Sequence, residues 1–165
     1  MINLLLRIFP VLLVDILTGC ATSKGVPYSM AKNLIPEADS TKSRIYFLRE
    51  KSFVNGGVKA KVTVNGTNIG ILNGGGFIYH DIFPGEVTLG VEESFLAIGS
   101  EHTLQTGVQP GKDYFFLVAN NSKSIVKSAA FGIIGTALSD GRFVLKPLQE
   151  SQGSNLVRTL KYDSN

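Results

Sequence analysis

Val58, Ala60, Val62 and Val64 alternate with Lys59, Lys61, Thr63 and Asn65, and the alternation runs straight into Asn65-Gly66. A period of two puts the four apolar side chains on one face of a strand and the polar ones on the other. Asn-Gly then accepts the two positive φ angles of a type I′ turn, so the chain must return antiparallel to itself. Asn68 to Leu72 is the returning strand. A lone hairpin with one apolar face is at best marginally stable, so this pattern demands a second layer to cover it.

The rest of the chain supplies short strands for that layer. Arg44 to Arg49 reads as the first strand, Phe77 to Ile82 follows the break at Gly74-Gly75-Gly76, and Glu86 to Val91 follows the turn at Pro84-Gly85. Leu104 to Val108 leads into Pro110-Gly111, and Asp113 to Ala119 is so continuously apolar that it must be covered on both faces. Arg142 to Leu145 is the last strand, ended by Pro147. A short C-terminal helix is expected over Gln149 to Leu160, with Leu156, Val157 and Leu160 docking on a sheet and Gly153 working against it. The fold class is all-β, a small antiparallel β-sandwich of about seven to eight strands, on the strand spacing.

Upstream of this domain the chain has a different character. Arg7 precedes an apolar core from Ile8 to Val14, and Leu17-Thr18-Gly19-Cys20 closes the run. That is the layout of a secretory signal, and the four residues match the lipobox at which a bacterial lipoprotein signal is cut and its cysteine acylated. Leu17 suits an apolar enzyme groove, Thr18 and Gly19 leave room at the scissile bond, and the Cys20 thiol takes the diacylglycerol. Asp15 runs against the pattern, since a carboxylate is costly in an apolar segment. A cytosolic first helix and a permanent membrane anchor are the plainer readings. Pro10 and Asp15 break the run well short of the roughly 20 apolar residues a bilayer requires. The expected organisation is residues 1–19 as lipoprotein signal peptide, 20–43 as acylated cysteine and tether, and 44–165 as the β-sandwich domain. Pro27, Pro36 and the polar residues between Ala21 and Ser43 suggest the tether, with a helical turn at Met30 to Leu34.

Composition narrows function chiefly by exclusion. The formal charge of +3 is spread without basic runs, which sets nucleic acid aside as a partner. The single cysteine is used by the lipid, leaving no disulfide or thiolate metal site for the domain. A hydrophobic fraction of 44% is enough to build a core without either. No Gly-x-Ser-x-Gly or His-Glu-x-x-His motif is present. His80 beside Asp81, and His102, are the candidates for general-base chemistry, with ordinary edge-strand histidines the plainer reading. Gly74-Gly75-Gly76 lacks the Lys-Ser or Lys-Thr of a phosphate cradle and is read as a strand bend. Glu92 and Glu93 should point to opposite faces of their strand, so they cannot chelate a cation together with Glu101. No catalytic residue, metal site or cofactor is expected. Phe95, Leu96 and Ile98, with Phe131, Ile133 and Ile134, form two apolar stretches near loops, either packed inside or exposed as an interaction patch.

From Arg44 to Val118 the chain resembles the bacterial lipoprotein family called domain of unknown function 2846. The likeness rests on Arg44-Ile45-Tyr46 with Arg49, on Val62-Thr63-Val64-Asn65-Gly66 with Ile69-Gly70 and Leu72, on Gly76-Phe77, on Pro84-Gly85, and on Pro110-Gly111-Lys112 before Tyr114-Phe115. Phe131 to Gly141 has no counterpart in it. The resemblance implies a small envelope β-sandwich, lipid-anchored in many members, and no assigned chemistry or site residues.

The function expected is therefore that of a non-enzymatic binding or structural module, held by its N-terminal lipid on the periplasmic face of the envelope. Ala21, in place of Asp, directs sorting to the outer membrane. The alternatives are an assembly component of a larger envelope or secretion complex, with a protein partner, and a periplasmic hydrolase working through His80 and a carboxylate.

Overall fold

In the computed structural model, which describes residues 22–53, 56–94, 101–121 and 141–164, the elements run β1 (Val26–Pro27), α1 (Tyr28–Ala31), β2 (Ser43–Arg49), β3 (Ala60–Val64), β4 (Thr67–Leu72), β5 (Gly76–Ile82), β6 (Gly85–Glu93), β7 (His102–Val108), β8 (Asp113–Asn120), β9 (Phe143–Leu148), α2 (Glu150–Val157) and β10 (Lys161–Tyr162). They make a six-stranded sheet in the order β1-β10-β5-β2-β8-β9 and a four-stranded sheet in the order β4-β3-β6-β7. The expected two-sheet β fold is present. Not every pairing is antiparallel: β2 lies parallel to β8, and β5 to β10.

The β3–β4 hairpin turns as its sequence requires. Val64 pairs with Thr67, and Asn65 and Gly66 between them hold φ of 49° and 75°, the left-handed values of a type I′ turn. The strand begins at Ala60 rather than Val58, which lies ahead of it and still packs against the core.

One core fills the space between the sheets. Ile45, Phe47, Ile78, Phe116 and Leu145 from the six-stranded sheet meet Val62, Val64, Leu72, Leu89 and Val91 from the four-stranded one. Each such side chain, fully withdrawn from water, contributes about 1.5–3 kcal/mol. The outer face of the four-stranded sheet is polar: Lys61 bonds Glu92 at 2.6 Å and Thr63 donates to Glu101 at 2.6 Å. This is the half-buried strand that the alternation requires.

A second core lies on the outer face of the six-stranded sheet. Leu48, Phe77 and Phe115 are covered there by Ala31 of α1, by Val157 of α2 and by Leu160. Period two explains why β8 is apolar throughout. Phe116 and Val118 face the inner core while Phe115 faces the helices. The helix spans Glu150–Val157, opened by a reciprocal capping arrangement between Gln149 and Gln152. Gly153 is required where it sits, because a Cβ there would stand 2.1 Å from the Phe115 ring.

Two boundaries differ from expectation. β9 continues through Pro147 to Leu148, since β9 is the sheet edge and its outer side needs no ladder donor. The segment expected to be a free tether is part of the domain from Thr22 onward. Thr22 bridges Gly74, Val26 pairs with Tyr162, and Ala31 is fully buried. Small and aromatic residues in this arm find the second core, and that burial outweighs the polar composition suggesting a linker.

Candidate functional site

Arg44 and Asp81 are direct cross-strand partners on β2 and β5, so their side chains leave the same face of the sheet. Arg44 Nε and Nη2 donate to the two oxygens of Asp81 at 2.6 and 2.8 Å, and Nη1 donates to the Pro36 carbonyl at 2.9 Å. The guanidinium also stands 4.6 Å from the Tyr79 ring centroid. The Asp81 carboxylate holds the Arg44 cation above its ordinary range. Burial pushes the neighbouring Tyr46 phenol up to about 12, and its ring stacks on Phe115 at 4.8 Å. Phe77, Tyr79 and Tyr162 extend this aromatic row along the sheet. Nε, Nη1 and Nη2 of Arg44 each donate within the chain, so the cluster fastens the N-terminal arm to the sheet.

His80 and Asp81 are adjacent on β5 and therefore project to opposite faces. The carboxylate belongs to Arg44, and the imidazole lies on the side of the inner core, where burial lowers its pKa. His102 is buried on β7, and its Nδ1 accepts the backbone N–H of Leu145 at 3.3 Å. It links the edges of the two sheets and is likewise pushed down by burial. The three acids do not converge either. Glu92 and Glu101 are engaged on the outer face by Lys61 and Thr63, whereas Glu93 is buried with Arg142 Nε 2.8 Å away. Among the described residues no group of three metal-ligating side chains comes together.

A different assembly lies at the end of the sandwich where β2 and β8 finish and β5 and β9 begin, called here the proximal end. Asp163 is buried there and accepts from the Ser23 hydroxyl, from the Asn73 backbone at 2.9 Å and from the Asn73 amide at 3.2 Å. Gly74-Gly75-Gly76 is the bend between β4 and β5, as its sequence suggests. Gly75 has φ 79°, and a Cβ on Gly76 would meet the Asp163 carboxylate at 2.2 Å. Beside it Arg49 is 3% exposed, donating to the carbonyls of Val58 at 2.6 Å and Leu72 at 3.1 Å, with its guanidinium 4.6 Å from the Phe143 ring. Burial pushes its pKa down to about 10.

The two ends of the sandwich are unlike. Connections 65–66, 83–84 and 109–112 are tight and lie at the far end, whereas 50–59, 94–101 and 121–142 leave from the proximal end. Leu17, Thr18, Gly19 and Cys20 lie outside the described residues, as do Phe95, Leu96, Ile98, Phe131, Ile133 and Ile134. Their flanks are described. Thr22, Ser94, Glu101, Asn121 and Gly141 are all at the proximal end. Sequence reasoning passed over Arg49 and the Ser23–Asn73–Asp163 group. The first had a usable signal, because the period of Ile45 and Phe47 places Arg49 on the core face. The second had none, since its members meet only through the fold.

A family model described as a protein of unknown function, DUF2846, matches residues 39–130. No curated protein and no solved structure matches the chain. The match begins after the N-terminal arm and ends before β9, so the segments covering the outer face of the large sheet lie beyond it.

Proposed function

We propose, for a chain that belongs to the DUF2846 family of proteins of unknown function, that it is a lipid-anchored lipoprotein of the cell envelope. In this reading the signal is cut before Cys20, the cysteine is acylated, and the domain serves on the periplasmic side of the outer membrane as a non-enzymatic binding or structural module. The observation that carries the reading is Leu17-Thr18-Gly19-Cys20 at the close of an apolar N-terminal run. Each buried methylene of the acyl chains contributes about 0.8 kcal/mol, and two chains already make attachment stable. Labelling cells with a palmitate analogue tests it. Wild-type protein should carry the label and Cys20→Ala should not; an unlabelled wild-type protein refutes the reading.

One observation favours the alternative of an assembly component. Met30 and Leu34 on the N-terminal arm are 63% and 66% exposed, beside a shallow hollow of about 410 Å3 lined by Tyr28, Ser29, Lys32 and Arg158. Exposed apolar side chains next to basic ones suit a protein partner. Crosslinking in envelopes checks this reading, with Met30→Asp expected to abolish a specific crosslinked species that wild type forms.

A further inference from the structure

We infer that β7 is the edge at which a second copy of this chain adds its own β7, antiparallel, joining two four-stranded sheets into one. The two sheets have four edges, β1 and β9 in one and β4 and β7 in the other. An edge row of unpaired N–H and C=O groups templates further pairing unless shortness, proline, a bulge or a charge blunts it. Three of the edges are blunted in this way. β1 is two residues long and ends in Pro27. β4 slips register opposite Val62 and Thr63, and Asn68 Oδ1 takes the Gly70 N–H at 3.1 Å. On β9, the Asn121 N–H donates to the Arg142 carbonyl, so the residues turned outward are Phe143, Leu145 and Pro147. Of these, Leu145 gives its N–H to His102 and Pro147 has none.

β7 carries none of these devices. It runs seven residues in strict alternation of buried and exposed side chains, and it holds no proline, lysine or acid. Its outward row follows from the hydrogen-bond phase of β6. The Asn65 N–H donates to the Thr88 carbonyl, so Thr88 turns toward β3 while its neighbours Val87 and Leu89 turn toward β7. Their partners Thr106 and Leu104 therefore face β6, and Thr103, Gln105 and Gly107 point their N–H and C=O away from the sheet. All three are exposed, and at Gly107 that exposure is of the backbone itself. Among the described residues nothing bonds to this row before Gln109, whose N–H donates to the Tyr114 hydroxyl and whose carbonyl accepts from Ser43.

The row is complementary to itself. Centred on Gln105, an antiparallel pair sets Gln105 against Gln105, Thr103 against Gly107 and Leu104 against Thr106. Gly107 has no side chain to crowd Thr103, the two Gln105 amides can each donate to and accept from the other, and no charge meets a like charge. The Gln105 pair exchanges both of its N–H···O bonds, as do the two Thr103–Gly107 pairs. The twofold of such a pair runs perpendicular to the sheet. Both copies then turn their arm-covered face the same way, as two chains anchored in one membrane must.

Sedimentation of the full-length chain in detergent, over a micromolar concentration series, tests the pairing, which does not depend on acylation. The wild type should be dimeric. Gln105→Pro deletes an N–H that the β6 ladder does not use and should raise the dissociation constant about tenfold or more, the scale of two lost hydrogen bonds. Gln105→Lys sets two ammonium groups against each other and should raise it several-fold. Both variants should keep the wild-type circular dichroism; if Gln105→Pro alters it, Gln105→Lys decides alone. Gln105→Cys adds a covalent readout, because Cα atoms of a hydrogen-bonded antiparallel pair stand about 5.5 Å apart, within disulfide reach. Mild oxidation should link position 105 to position 105 in peptide maps, and Thr67→Cys on the β4 edge should give no such link. A wild type that stays monomeric throughout the series, a dimer unchanged by Gln105→Lys, or equal linking at 67 and 105 overturns the inference.

Discussion

Ser23 and Asp163 are 140 residues apart in the chain and joined by a buried hydroxyl–carboxylate hydrogen bond. The bond fastens the two ends of the described chain to each other and, through Asn73, to the bend between β4 and β5. The folded body therefore includes the arm from Thr22 onward.

Loss of the carboxylate at 163 removes the acceptor of three donors in a buried place. Asp163→Ala is expected to cost about 2–4 kcal/mol, at the scale of charged hydrogen bonds whose partners are left unsatisfied. Urea denaturation measures the loss, and trypsin should cut faster after Lys24 in the variant. An unchanged midpoint would show that the arm is held by apolar contacts alone.

The Arg44–Asp81 fork is partly shielded, with side-chain exposures of 5% and 28%. Asp81→Ala leaves a buried guanidinium without its counter-ion and should destabilise by about 2–3 kcal/mol, below the range for fully buried pairs. Replacing both residues, as Arg44→Met with Asp81→Ala, should cost less than the sum of the single changes. A double-mutant cycle with no coupling energy would mean that the two groups act independently.

Gly153 gives a test in which helix propensity and packing have opposite signs. Alanine normally gains about 1 kcal/mol over glycine within a helix. Here its Cβ would strike the Phe115 ring, so Gly153→Ala should instead lose about 1–3 kcal/mol through overpacking. Gly57→Ala, where nothing lies within 4 Å, is the control and should leave the thermal midpoint nearly unchanged. Stabilisation by Gly153→Ala would contradict the close approach of α2 to β8.

His102 makes stability depend on pH. Its Nδ1 accepts from Leu145 N–H, so the folded imidazole is neutral, and burial lowers its pKa below the ordinary value of about 6.5. As pH falls through that value the unfolded chain takes up a proton that the folded chain refuses. Stability present above it is then lost progressively until the folded imidazole itself protonates. Half-buried His80 adds to the same trend. The denaturation midpoint should decline as pH falls below about 6.5. His102→Asn, which keeps an acceptor but no titrating group, should flatten the decline; an equally steep decline would assign it to other groups.

Local signals in this chain were legible where one residue pair or one period carries the information. Asn65-Gly66 specifies its turn through backbone φ alone, and the alternation from Ala60 to Val64 specifies which face is buried. The continuous apolar run of β8 correctly implied cover on both faces. The N-terminal arm was misread because its composition resembles a linker while its partners, Asp163, Tyr162 and Leu160, are distant in sequence. Pro147 was misread because proline ends a strand only when both sides need donors, and edge position is a tertiary property.

The sequence by itself determined the longer strands, the tight turns and the apolar faces, because each depends on neighbours within a few residues. Only the tertiary structure decided that β2 and β5 place Arg44 against Asp81, that Arg49 sits inside the end of the sandwich, and that the arm closes against Asp163. It also gathered Thr22, Phe53 and the flanks of connections 94–101 and 121–142 at one end of the molecule. Pairing order across a sheet is set by which apolar faces can be buried together, and that is a property of the whole chain.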